Sequence, residues 1–341
     1  MNKHYKHKPH MHNKITGVAL VTVLIMVFII MSIIANITVQ NYRTIRRISN
    51  QMFQDQAVAI LHAAIDFARA GLSTSAANSN IDTLNDIWAS PIPKTEIVDN
   101  ITMSGYILDE QSKFNINDLV INGSVNITVL KQFKNLLNYL NIPTSLADSI
   151  ALYMSSPVNQ TGIMSQYTNA KIAYRPSGKN LVDLSELLLI KGIDVGWVDK
   201  LDKYVTAIPN ELVFGVGRNS TKNANIKINI NTAEASVIAA KTNLPLDVAQ
   251  RIVTIRIQTP FISVDKLKEF LIKNNVKIDN DGNNAVNSDN NVVLDDVDVA
   301  SNFFTLHAII NNGDYQFNWL AMLYREERSG LWPTILWQHV N

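Results

Sequence analysis

The stretch Gly17-Val-Ala-Leu-Val-Thr22-Val-Leu-Ile-Met-Val-Phe-Ile-Ile-Met-Ser32-Ile-Ile-Ala35 decides how the rest of this 341-residue chain is read. It holds two weakly polar side chains, Thr22 and Ser32, and the chain carries no charge between Lys14 and Arg43. About 20 apolar residues suffice to cross the hydrocarbon core of a bilayer as a helix. The residues that follow continue the helix: Gln40 to Leu72 contains no proline and no glycine before Gly71. Ala57, Ile60, Leu61, Ala64, Ile65 and Ala68 recur at helical spacing and form an apolar stripe. One long helix is expected, membrane-spanning in its first part and amphipathic in its second.

Composition excludes several chemistries. There is no cysteine, hence no thiol nucleophile, thiolate metal site or disulfide. Net charge is +1, from 30 basic and 29 acidic residues, so no global field points to nucleic acid. The local distribution is uneven. Residues 1–17 carry Lys3, Lys6, Lys8 and Lys14 with no carboxylate, and the first acidic residue of the chain is Asp55. A basic tail on the cytoplasmic side is the natural reading, but Arg43, Arg46 and Arg47 beyond the span leave charge counting close to a draw.

Beyond the helix, residues 73–100 are rich in Ser, Asn and Pro and read as a connecting loop. Ile101–Leu108 alternates as a strand does. Asn302–Ile310 and Tyr315–Tyr324 are β-prone runs joined by Asn311-Asn-Gly313-Asp314, a strong hairpin signal, and Leu331–Val340 supplies a last strand. Between them, helical patterns cover Thr128–Leu140, Leu146–Met154, Leu181–Ile190, Val195–Val205, Thr232–Ala240, Leu246–Ile257 and Val264–Lys273. The fold class is α+β: a long N-terminal helix on a small antiparallel sheet, with a large all-α insertion holding two helix-hairpin-helix-like units. The expected segments are a basic leader (1–17), the N-terminal helix (18–72), the first part of the α+β domain (73–118), the helical insertion (119–276), an Asn/Asp-rich loop (277–300) and the closing strands (301–341).

The basic segment, Gly17 and the immediate start of an apolar helix resemble a type IV pilin-like leader. The resemblance implies that a prepilin peptidase cuts between Gly17 and Val18 and that Val18 becomes an N-methylated terminus. Most pilins carry a glutamate at the fifth mature residue, where a neighbouring subunit's terminal amine can pair with it. Here that residue is Thr22, and the missing glutamate resembles the K-type minor pseudopilins of type II secretion systems. Further segments are similar to that family in order: Asp109-Glu-Gln-Ser-Lys-Phe-Asn-Ile-Asn117, Tyr174-Arg-Pro176, Leu184–Gly192, Val205–Pro209 and Ile228-Asn-Ile-Asn-Thr-Ala233. The resemblance implies a minor pseudopilin at the tip of a periplasmic pseudopilus. It implies, as partners, other minor pseudopilins, the inner-membrane assembly platform, prepilin peptidase and secreted substrates. It also places the N-terminus in the cytoplasm and the bulk in the periplasm. The alternatives are a minor pilin of a type IV pilus or competence filament, and a membrane-anchored DNA receptor built on the helix-hairpin-helix unit.

The sites weighed against this plan are few. Thr242-Asn-Leu-Pro-Leu-Asp247 lacks the glycine that lets backbone approach a phosphate and adds a repelling carboxylate, so no nucleic acid is expected as a partner. Asn231 and Glu234 read as a helix start. The family's acidic stretch, implicated in calcium binding, corresponds to residues 151–167. Ser155, Ser156, Met164 and Ser165 stand there in place of carboxylates, so no cofactor is expected. The remaining calcium candidates are Asp279, Asp281 and Asp289, in a loop whose first reading is solvated. His62 and Asp66 stand one helical turn apart and read as a solvated face; His307 and His339 have no matching nucleophile. No enzymatic activity is expected.

Overall fold

Three facing pairs of residues set the frame: Tyr106 opposes His307 across one strand boundary, His307 opposes Leu320 across the next, and Leu320 opposes His339 across the third. They belong to an antiparallel sheet of β1 (Ile92–Val98), β2 (Ile101–Asp109), β9 (Phe303–Asn311), β10 (Gln316–Tyr324) and β11 (Thr334–Val340), paired in that order. The strands numbered between them are short pairings in the helical block. The computed structural model describes residues 15–98, 100–160, 162–169, 173–208, 225–276, 292–313, 315–326 and 332–340. Most of the basic leader, Pro209 and the calcium candidates Asp279, Asp281 and Asp289 lie outside them.

The chain forms two compact units, Met1–Ala59 and Ile60–Asn341. Helix α1 (Ile15–Asn78) begins in the first and ends in the second. In the first unit, residues 17–49 are exposed on every side. In the second, the expected stripe is buried: Ile60, Leu61, Ala64, Ile65, Ala68 and Leu72. Alternate residues of β9 (Phe304, Leu306, Ala308, Ile310) are buried too, as one face of a half-buried strand requires. Arg69 donates to the Pro333 carbonyl at 2.6 Å and Arg325 to the Leu72 carbonyl at 3.0 Å, fastening this part of α1 at two places. Gly105 is a steric requirement on β2, since a Cβ there would lie 2.5 Å from the His307 carbonyl oxygen.

Residues 73–100, expected as a loop, contain more structure than that. The helix runs on to Asn78, and β1 pairs with β2 at the sheet edge. Pro93 is tolerated in β1 because an edge strand leaves one row of N–H groups without ladder partners. The hairpin at Asn311–Gly313 is as expected. Gly313 adopts φ 90° without strain, and its N–H donates to the Asn311 side chain at 2.6 Å.

The helical block consists of α2 (Ile127–Tyr139), α3 (Ser145–Met154), α4 (Met164–Thr168), α5 (Val195–Asp202), α6 (Ala235–Thr242), α7 (Leu246–Arg256) and α8 (Val264–Lys273). A small hairpin of β4 (Val120–Ile121) and β5 (Ser124–Val125) leads into α2. Leu184–Leu189 is a 3₁₀ helix rather than an α-helix, opened by a capping box between Asp183 and Glu186. One contiguous apolar core, including Phe114, Phe133, Leu137, Ile150, Val237, Ile252 and Leu267, runs through the whole block. Two short parallel pairings close it: β3 (Phe114–Asn115) with β6 (Val205–Thr206), and β7 (Ile228–Asn229) with β8 (Val297–Asp298). The second corrects the reading of residues 292–298 as solvated loop: Val292, Leu294 and Val297 are buried in that core.

Candidate functional site

Two regions carry the features that matter, the bare N-terminal segment and a buried polar junction. In the first, Gly17 and Val18 are exposed in the first turns of α1, and nothing lies within 4 Å of where a Cβ on Gly17 would sit. Thr22 is exposed, and its hydroxyl donates to the Ala19 carbonyl at 2.9 Å. The side chain thus satisfies its polar group within its own helix, which a carboxylate at that position could not do. Among the described residues this is the one helix long and apolar enough to cross a membrane.

The second region is built from two copies of Asn-Ile-Asn. Asn115-Ile-Asn117 and Asn229-Ile-Asn231 each begin in a two-residue parallel pairing. In each, the first asparagine's side-chain oxygen accepts the backbone N–H two residues on, at 3.4 Å in one copy and 2.9 Å in the other. In each, the second asparagine clamps both backbone groups of a distant residue. Asn117 holds the N–H and C=O of Leu181, and Asn231 holds those of Phe261, every bond at 2.9 Å. The clamped residue stands two before a helix cap in both cases, Asp183 and Ser263. The role expected for Asn231 is corrected: it caps no helix, and Glu234 makes no side-chain cap bond either. A buried backbone group without a partner is costly, which is why an amide able to donate and accept is used here.

Charges fill the spaces around these asparagines. Asp109 is fully buried and accepts from Gln111 N–H (2.8 Å), Thr232 Oγ1 (2.5 Å), Ser301 Oγ (2.7 Å) and Asn229 Nδ2 (3.2 Å). Burial nevertheless pushes its carboxyl up to about 6. Asp82 takes the Arg325 guanidinium at 2.6 Å, and Arg325 also donates to the Ser301 carbonyl. Lys241, wholly buried, sits 3.4 Å from Asp118 and 3.9 Å from Asp296, with its ammonium 4.7 Å from the centroid of the Phe114 ring. Arg256 donates to the carbonyls of Ile230 and Ala233; burial lowers its guanidinium to about 10. No local sequence signal marks this junction, although Asn115, Asn117, Asn229 and Asn231 lie inside segments that carry the family resemblance.

The other sequence candidates stay apart. His62 and Asp66 are exposed, and Asp66 pairs with Arg69 at 3.1 Å. His307 stacks on Tyr106 with ring centroids 4.6 Å apart, and His339 stacks on Trp337 at 5.0 Å. Both line a groove of about 580 Å3 with Asp183, Asp199 and Asp202. The hairpin between α6 and α7 turns through Asn243 at φ 57°, buries Lys241 and shows solvent Asp247, already paired with Arg251 at 2.6 Å.

In the described part of residues 151–167, two backbone carbonyls are already taken by a side chain. The buried Gln160 side chain donates its amide nitrogen to the carbonyls of Tyr153 (3.0 Å) and Ser155 (2.8 Å), the oxygens a cation would need. Tyr153, Tyr167 and Tyr174 pack ring against ring beside it. Among the described residues no group of three His, Cys, Asp or Glu side chains converges.

Comparison with known proteins falls onto the two Asn-Ile-Asn copies. A family model described as type II secretion system protein K matches residues 112–210, around the first, and a second of the same description matches residues 228–286, around the other. By both matches, in order, the chain resembles the type II secretion system protein K family. It is a minor pseudopilin of type II secretion. The protein K of Pseudomonas aeruginosa is 28% identical over 274 residues, covering 75% of this chain and 76% of that one. In fold, the chain resembles a chain of the crystal structure of the GspK-GspI-GspJ complex from the enterotoxigenic Escherichia coli type 2 secretion system. There the TM-score is 0.64 at 20% identity, over 86% of this chain and 99% of the other. The protein K family supplies a structural part of secretion machinery, and α1 gives this chain a single-pass anchor.

Proposed function

We propose that this protein caps the tip of a periplasmic pseudopilus, with its N-terminus cytoplasmic before assembly and its bulk periplasmic. Prepilin peptidase cuts between Gly17 and Val18, Val18 is methylated, and the freed helix passes from membrane to filament. Thr22 carries the reading. Its hydroxyl is satisfied by Ala19, so the helix makes no demand for a neighbouring amine ahead of it, as suits the first subunit. A carboxylate there would be costly in lipid until paired.

Its partners are other minor pseudopilins, in keeping with the complex that GspK of Escherichia coli forms with GspI and GspJ, together with the inner-membrane assembly platform and secreted substrates. The role is structural rather than enzymatic: His307 and His339 stack on the rings of Tyr106 and Trp337. Nucleic acid is no partner, since the α6–α7 hairpin offers phosphate a carboxylate in place of a cation. Co-expression with the other minor pseudopilins of its system tests the reading. A complex stable through gel filtration is expected, and a chain that stays monomeric at micromolar concentration contradicts it.

A further inference from the structure

The charge-free part of α1 ends in three arginines. Arg43, Arg46 and Arg47 are all exposed, and with Asn50 and Gln54 they follow the three- and four-residue spacing that shares one helix face. Together with Tyr42 and Gln51 they line one shallow surface. The Arg46 guanidinium lies 4.9 Å from the centroid of the Tyr42 ring. None of the ion pairs among the described residues uses these arginines. The sequence places no carboxylate before Asp55.

Depth says what meets them. From Gly17 to Arg43 the helix rises about 39 Å at 1.5 Å per residue. A bilayer with its headgroups is about 40–45 Å thick. With Gly17 in one headgroup layer, Arg43 to Arg47 stand in the other, beside a tyrosine of the kind that favours that boundary. The abundant anion at that depth is phosphate, and guanidinium groups bind it through two parallel N–H donors. A protein carboxylate would have to be brought there by another chain.

We propose that Arg43, Arg46 and Arg47 form a clamp for the phosphates of anionic phospholipids in the leaflet on the side of the protein's bulk. The clamp fixes the depth of the subunit and holds it in the bilayer until assembly draws the helix out. It rests on the membrane-span reading of α1. It places positive charge at the opposite end of the span from the leader's lysines.

The test is native mass spectrometry of the full-length chain from nanodiscs of phosphatidylethanolamine with one quarter phosphatidylglycerol. Retained phosphatidylglycerol enriched several-fold over the bulk ratio is expected. The enrichment falls to the bulk ratio in Arg43→Gln/Arg46→Gln/Arg47→Gln and persists in the triple lysine variant. Circular dichroism checks that each variant keeps its helix. A chain that inserts normally but shows no lipid preference overturns the clamp while leaving the span intact; failure to insert overturns both. No lipid preference, combined with loss of a partner complex in the glutamine variant, assigns the arginines to protein contacts and overturns the proposal.

Discussion

Asn117 and Asn231 perform the same task in two halves of the helical block: each closes a pair of 2.9 Å bonds on the backbone of one distant residue, Leu181 in one case and Phe261 in the other. Around each lies the same order of parts. A short strand enters, helices follow, the clamped residue precedes a helix cap, and a parallel strand returns. The block is thus a structural duplication, and its two side-chain clamps do what a longer sheet would do elsewhere.

Removing one clamp leaves a buried N–H and C=O unpaired, at about 1–3 kcal/mol per group. Asn231→Ala is therefore expected to lower unfolding stability by about 3 kcal/mol, and Asn117→Ala by a similar amount. Urea unfolding of the soluble part measures both. A loss under about 0.5 kcal/mol, the scale of an ordinary surface substitution, would show that the clamp does not hold the unit.

Asp109 makes stability depend on pH. Its folded carboxyl lies at about 6, above the ordinary 3.8, because burial disfavours the charge. The folded state therefore binds more protons between these values. The contribution is fully present below about 4 and is lost as pH rises through about 6. Relative to Asp109→Asn, the wild type should gain stability on acidification from pH 7 to pH 4, by up to about 3 kcal/mol at 1.36 kcal/mol per unit. Thermal melts of both proteins across that range check the sign; a constant difference contradicts it.

Gln160 predicts independence from calcium at the loop it closes. The wild-type melting temperature should be the same in millimolar calcium and in EDTA. Gln160→Glu turns a donor into an acceptor facing the Tyr153 and Ser155 carbonyls, so it should cost about 2 kcal/mol. Calcium should return part of that loss, because three oxygen groups now converge. A variant with Asp279, Asp281 and Asp289 changed to Asn and Gln160 intact that still loses stability in EDTA would contradict this.

How much of the fold is legible in the sequence follows from range. Helices α2, α3, α7 and α8 are legible within a residue or so, because apolar spacing is a local signal, and the β9–β10 hairpin is legible from Asn311 to Gly313. Strand β1 is hidden, since an exposed edge strand containing Pro93 carries no alternation. Asp296 reads as part of a solvated loop, yet its partner is Lys241, far away in sequence. The asparagine clamps are visible as residues but not as contacts, because Leu181 and Phe261 contribute only backbone. Thr22 is legible from its place in the helix, and its bond to Ala19 depends on the side-chain rotamer.

On the proposed tip role, the chain begins as a processed helix. Intact mass and N-terminal peptide mass spectrometry of the protein from cells with a working prepilin peptidase should find Val18 first, carrying one added methyl group. Gly17→Ala, or loss of the peptidase, should leave the leader attached and stop secretion. A mature protein that retains Met1, with secretion indifferent to Gly17, would contradict it.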